Sequence, residues 1–419
     1  MTDNQKTGLY TGDYVHSGSS GFRFDVETDL FQYLISPQLE SNSDLLVSFY
    51  YINASNENTS YTAGFDVGYS TTTKDPGEFY FGDMIVSSHL WERNQTIVPA
   101  GTKYVAIKWV AGYNLYVDDF SIEPVVTQNV TGYGESTESD HWMFIASPVV
   151  GHLYPEDIGN LMSSTASNYD LYRFNQSAAA EWENYKSHDF GFVLYNGNGY
   201  LYANKNDVTL YFVGELNNDA SKTVDLVYTN NSPHADTRGW NLVGNPFPAP
   251  AYSNKSYYKM NAAGSDIEAV TNTSMQIGVC QGVLVRATGP NQTVTFTKAG
   301  SRSGDQPESK GSLELTLTKG GTRGEDFHDK AIVSFDEGTQ LSKYIFNEEH
   351  AKLYIPQDGE DYAIAYSAPQ GELPLNFKAK EDGEYTLTVT STLTSHLPPF
   401  DRQPHRHGCR YADTAFLYV

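Results

Sequence analysis

From Gly21 to Glu123 apolar and polar residues alternate in short runs, FRFDV, LLVSFYYI, AGFDVGYS, FYFGDMIV, KYVAIKWV and NLYVDDFSIE, separated by clusters of Asn, Ser, Gly and Pro. A period of two sends successive side chains to opposite faces, so each run reads as a half-buried antiparallel strand and the set as a sandwich or jelly roll. After Pro124 the polar, Gly-rich stretch VVTQNVTGYGESTESD predicts a linker or a long surface loop. A second region opens at HWMFIASPVV and runs to about Lys298, again mostly strands, with one helical window at PEDIGNLM. Within it, Asn-Gly-Asn-Gly at 196–199 predicts a hairpin that pairs Val193 and Leu194 with Leu201 and Tyr202, because Asn and Gly accept positive φ at little cost. GSRSGDQPESKG then reads as a flexible linker, and from Ser312 to about Thr394 the alternation returns.

Without the strand and helix alternation that a parallel sheet requires, the fold class is all-β: tandem antiparallel β-sandwich or jelly-roll modules, the C-terminal one incomplete. The expected divisions are residues 1–125, a jelly roll short at its N-terminus, 126–300, a β-rich middle domain, 311–395, a C-terminal sandwich module, and 396–419, a tail discussed below.

A length of 419 residues suits several cores, and 31 Tyr, 21 Phe and 35 Gly suit short strands and tight turns. With 51 acidic against 27 basic residues the formal charge is -24, which repels phosphate backbones and anionic headgroups and so argues against nucleic acid as a partner. Two cysteines, Cys280 and Cys409, provide neither a disulfide framework nor a four-cysteine zinc site. No run of apolar residues is long enough to insert in a membrane, and the first residues have neither a basic nor an apolar leader segment. The first strand follows Met1 so closely that a missing beginning, with its signal peptide, is expected.

The stations YLISPQL (33–39), VSFYY (47–51), FDVGYSTT (65–72), Trp91, VPAGTKYVAIKW (98–109) and LYVDDFSI (115–122) resemble the cleaved-adhesin domains. These are jelly-roll modules of the haemagglutinin regions of gingipain-type bacterial proteases and of related surface proteins. The segment before the first station is shorter here than is usual for that family. GWNLVGNPFPAPA (239–251) resembles a strand-and-turn motif of proteins exported by the type IX route, and KLYIPQDGEDYAIAYSAPQGELPLNFKA resembles a C-terminal sandwich found beside it. The resemblance implies secretion, display on the outer cell surface and adhesion, and it implies no catalytic residues.

Inspection of the residues agrees on the last point. The chain has no G-x-S-x-G elbow and no H-E-x-x-H helix, and Cys280 sits in the apolar run IGVCQGVLV, where a buried structural cysteine is expected. The expected function is therefore a non-catalytic extracellular adhesin that recognises glycans or host matrix proteins. The alternative is an accessory region that targets a larger secreted protease or glycosidase. Trp91, Trp109, Tyr113 and Tyr116 fall around the loops of the first module and are the candidate ligand-binding residues, since a flat aromatic face pairs with the CH-rich face of a pyranose; core packing is the competing role for each. Asp118 and Asp119 are adjacent in a strand and should point to opposite faces, so one carboxylate heads inward and needs either a cation or several donors. Calcium, hard and oxygen-loving, is the expected cation there, with Asp66 and Glu123 as further candidates; loop amides are the alternative.

The last residues, HLPPFDRQPHRHGCRYADTAFLYV, lose all periodicity. His405, His407 and Cys409 form a soft-ligand cluster that suggests a metal, but another reading accounts for more of the segment. With suitable codons, residues 397–419 read one nucleotide later spell YLHLIDNLTGTDVDMLTPPSYT, which resembles the strand, turn and strand that follow this module in related surface proteins. An out-of-frame tail is therefore expected, leaving the third module without its closing strands and with an open apolar edge near Tyr385 to Val389.

Overall fold

The computed structural model describes residues 7–25, 31–53, 62–136, 140–163, 165–188, 191–230, 232–272, 275–301, 309–321, 324–367, 372–392 and 414–418. It is almost all β, built from several antiparallel sheets, and no helix reaches seven residues. The window PEDIGNLM forms only a 3-10 turn at Pro155–Asp157, after which the chain returns to extended backbone at Ile158. Contacts divide the chain into two compact units, residues 1–126 with 213–215, and residues 127–212 with 216–419.

The first unit contains β1 (Gly8–Tyr10), β2 (Gly21–Phe24), β3 (Gln32–Ile35), β4 (Leu45–Asn53), β5 (Ala63–Ser70), β6 (Tyr80–Phe81), β7 (Ile85–Val86), β8 (Glu92–Val98), β9 (Tyr104–Gly112) and β10 (Leu115–Val130). One sheet has the order β1-β2-β10-β4-β8, the other β3-β9-β5-β6 with β7 also on β5. The period of two decides what lies between them: Val47, Phe49 and Tyr51 of β4, Phe65 and Val67 of β5, Val105, Ile107 and Trp109 of β9, and Leu115 and Val117 of β10 share one buried cluster. Their alternates, Ser48 and Tyr50, Gly64, Asp66 and Gly68, Lys108, and Tyr116 and Asp118, are left for the two outer faces. β-branched and aromatic side chains fill this pleated interior well, and each fully buried one contributes about 1.5–3 kcal/mol.

In the second unit the expected linker does not separate independent cores. Phe144, Leu201, Trp240, Tyr258, Ile267 and Leu284 of the middle region share one cluster with Ile332, Leu341, Tyr344, Ala363 and Ile364 of the region beyond the linker. Buried Asp266 ties the joint, with Lys352 Nζ and His350 Nδ1 each 2.9 Å from its Oδ2, and within the region beyond the linker Lys343 Nζ lies 2.6 and 2.5 Å from the two oxygens of Asp329. One strand pairing is parallel, between Gly324–Ser334 and Glu360–Tyr366.

The expected hairpin is not formed. The turn exists, with Gly197 at φ 99° and Asn198 N–H donating to Tyr195 C=O, but Leu194–Tyr195 pairs with His152–Leu153, whereas Gly199–Asn204 pairs with Met143–Ala146 and Tyr169–Phe174. Buried Asn196 explains the divergence: its amide donates to Ser147 C=O and Pro246 C=O, tying the turn to other segments. In the last sheet, Tyr385–Ser391 ends the strand order beside Ser312–Gly321, and Leu387 and Val389 are exposed. Most of the expected tail, with His405, His407 and Cys409, lies outside the described residues; Thr414–Tyr418 pairs with Glu372–Lys378.

Candidate functional site

The two outer faces of the first unit differ in what covers them. On the β1-β2-β10-β4-β8 sheet, the register places Tyr50 of β4 between Asp118 of β10 and Arg93 of β8, with Tyr116 opposite Arg23 in the next row. The segment between β1 and β2 runs across these groups. Tyr14 stacks on Tyr116 with ring centroids 4.6 Å apart, and Tyr10 meets Tyr116 edge-on at 4.7 Å. His16 stacks on Tyr50 at 3.7 Å with 12° between planes, and its edge meets Trp91 at 5.2 Å.

This strap is held by the two aspartates. Asp118 accepts from the backbone N–H groups of His16 at 2.8 Å, Ser17 at 3.1 Å and Asp119 at 2.8 Å. Asp119 accepts from His16 Nδ1 at 2.6 Å and from the Ser17 hydroxyl. The expectation of opposite faces fails here for a local reason: β10 carries a bulge between Asp118 and Ser121, and Asp119 sits at φ 51°, so both carboxylates reach the same strap. Bonds from the Ser17 hydroxyl and the His16 ring hold the Asp119 carboxyl below the usual carboxylate range. Three amides supply the donors that Asp118, buried beneath the strap, requires, and among the described residues no group of three or more His, Cys, Asp or Glu side chains is placed to hold a metal.

The structure thus brings Trp91, Tyr116, Asp118 and Asp119 to one face, but under the chain's own residues. Trp109 and Tyr116 are only 6% and 5% exposed, so neither presents an open stacking face. Trp109 belongs to the core, where its indole N–H donates to Tyr113 C=O at 3.1 Å, and Tyr113 is half-buried beside it.

The outer face of the other sheet carries no such strap among the described residues. Lys108 of β9 lies opposite both Tyr33 of β3 and Asp66 of β5, and its ammonium is 3.2 Å from Asp66 Oδ2, so Asp66 is paired with a lysine. The same ammonium stands 4.6 Å from the ring centre of Phe31 and 5.0 Å from that of Phe81, a cation held between two aromatic faces. Glycine makes this possible, since a Cβ on Gly68 would come within 2.5 Å of the Phe81 ring, which therefore lies directly on bare strand. Phe79 stacks on Phe81 at 5.8 Å, and Tyr80 packs against Tyr69 at 5.5 Å. Phe31 is nonetheless 58% exposed, whereas Tyr80, opposite Tyr69 in the register, belongs to the other face of the sheet. The result is a directional ion pair framed by flat apolar surfaces, an arrangement suited to holding a ligand. Catalytic chemistry gains no support from the thiol, because Cys280 is buried and burial pushes its pKa up.

Phe31, Phe81 and Lys108 were missed by the sequence reading, which sought aromatics in loops near Trp91. The available signals were two glycines on one face of AGFDVGYS and a lysine inside the apolar run VAIKWV, each unusual for a half-buried strand.

Comparison with known proteins gave no matching family model and no matching curated protein. Among solved structures, the chain is similar to the K1 cleaved adhesin domain of Lys-gingipain from Porphyromonas gingivalis W83, at 17% identity over 29% of this chain and 85% of that one, with a TM-score of 0.26. The K3 domain of the same protein matches at 19% identity over 26% and 73% of the two chains, with a TM-score of 0.23. A family 16 carbohydrate binding module matches at 14% identity over 26% and 78%, with a TM-score of 0.19.

Proposed function

We propose that this chain is a non-catalytic extracellular adhesin whose first unit binds glycans through the outer face of the β3-β9-β5-β6 sheet. One observation carries the reading: the exposed Phe31 ring and the Phe81 ring flank the Lys108–Asp66 pair on this face. Such rings cover the CH faces of sugars while the charged pair donates to and accepts from hydroxyls at fixed positions. A site of this kind needs no nucleophile, metal or mobile lid.

The test is a glycan array probed with the full chain, followed by titration of the strongest binder against Phe31→Ala and Phe81→Ala. Each ring removed should weaken binding at least tenfold, the loss expected of an aromatic anchor worth more than about 1.4 kcal/mol, with thermal melts showing that the fold is retained. Saturable binding that survives both substitutions would place the ligand elsewhere, and an array without saturable binders would leave a spacer or a protein-binding adhesin.

A further inference from the structure

The second unit holds a cavity of about 550 Å³, within the range of small-ligand sites, that the reading above does not use. Its framework is rigid. The turn Asn261–Gly264 accepts hydrogen bonds from the backbone N–H groups of His141 and Trp142, and a Cβ on Gly264 would stand 2.3 Å from Trp142 N, so only glycine permits this approach. His141 and Cys280 adopt φ of 63° and 56°, left-handed conformations that cost free energy in residues other than glycine and persist only where the surroundings enforce them.

Three amide side chains that border the cavity are each engaged through one end. Gln281 Oε1 accepts from Gly278 N–H at 2.8 Å, which leaves its NH2 group. Asn129 Oδ1 accepts from the Thr209 hydroxyl at 2.9 Å, which also leaves its NH2 group, and Gln128 Nε2 donates to Asn129 C=O at 2.9 Å, which leaves its carbonyl. Asp140 adds a carboxylate, with one oxygen 2.8 Å from His141 Nδ1. The wall also carries Trp142, Met143 and Met260, and it includes no Lys or Arg.

We infer that this cleft binds one or two units of a neutral saccharide, as a second site independent of the first unit. A hydroxyl donates and accepts at once, and it matches a wall where open NH2 groups and open carbonyl or carboxylate oxygens stand together. The indole and thioethers meet the apolar faces of the ring. An acidic sugar would meet Asp140 with no Lys or Arg in the wall to offset it, on a chain of formal charge -24.

The test titrates the full chain with glucose, galactose, mannose, N-acetylglucosamine, N-acetylgalactosamine and chitobiose, with glucuronic acid and N-acetylneuraminic acid as acidic comparators. Binding is read by saturation-transfer NMR and by Trp fluorescence. At least one neutral sugar should bind saturably at millimolar concentration. Gln128→Ala, Gln281→Ala and Asp140→Asn should each weaken it about fivefold, the loss expected for one hydrogen bond. Phe31→Ala should leave this affinity unchanged, which separates the cleft from the face on the first unit. Thermal melts identify any variant that fails to fold, and the remaining two then decide. The inference is overturned if no neutral sugar binds, if the folded cleft variants bind as the parent does, or if the acidic sugars bind more tightly.

Discussion

The two outer faces of the first unit are built from the same alternating strands, yet one is roofed by residues of the chain and the other is bare. On the roofed face Tyr50 and Tyr116 have their stacking partners in His16 and Tyr14. On the bare face Phe31 keeps more than half of its surface in water beside a salt bridge that it and Phe81 enclose. An aromatic side chain on a sheet is therefore no sign of a ligand until its partners are known. On the first face the rings act in stability; on the second Phe31 stays exposed beside the ion pair.

The comparison breaks most sharply at Lys108. Lys108→Ala leaves Asp66, which is largely buried, without its cation, and should cost about 2–3 kcal/mol, somewhat below the range for breaking a fully buried pair because both ends retain some solvent. Urea unfolding measures this, and the double variant Lys108→Met with Asp66→Asn should recover most of the loss. Next in size, Tyr50→Ala removes the shelf under His16 and should cost about 1–2 kcal/mol. Hydrogen exchange at residues 9–18 should quicken while exchange at β5 and β9 does not, and uniform quickening would mean that the strap is not a separate element. Phe31→Ala on the bare face should change unfolding by less than about 0.5 kcal/mol, as expected of an exposed position.

A smaller effect depends on pH. The folded-state value of Asp119 lies below its unfolded value, so its contribution is present above the unfolded carboxylate value of about 3.9 and is lost as pH falls through the folded value. Protection of the Ser17 amide, taken relative to intrinsic exchange, should therefore fall as pH is lowered below about 4, and Asp119→Asn should reduce that dependence. The smallest expected effect is that of calcium. Three amides already serve Asp118, so melting with calcium and with chelator should give equal midpoints. A bound ion at 100 times its dissociation constant would instead add about 2.7 kcal/mol.

Much of this molecule was legible in its residues. The strands of the first unit, their inward sets and the need of an inward Asp for partners all follow from period two. The strap was not legible, because Tyr10, Tyr14 and His16 lie in a segment without periodicity and gain meaning only beside Tyr50 and Tyr116. The bulge at Asp119 was hidden for a related reason, since LYVDDFSI alternates acceptably without one. At residues 196–199 a strong local turn signal was read correctly as a turn and wrongly as a hairpin, because Asn196 bonds to Ser147 and Pro246, both remote in sequence. Likewise a flexible linker composition at 301–311 said nothing of the core shared across it.

That shared core has a practical consequence. Cutting the chain between residues 301 and 311 would remove a covalent connection but neither the apolar cluster joining Trp240 and Tyr258 to Tyr344 and Ile364 nor the pairing of Asp266 with Lys352. The two fragments should therefore reconstitute when mixed, and neither should behave as a transplantable cassette. Recombination breakpoints placed at this linker would yield chimaeras with half a core, while breakpoints near residue 126 would respect the seam between compact units.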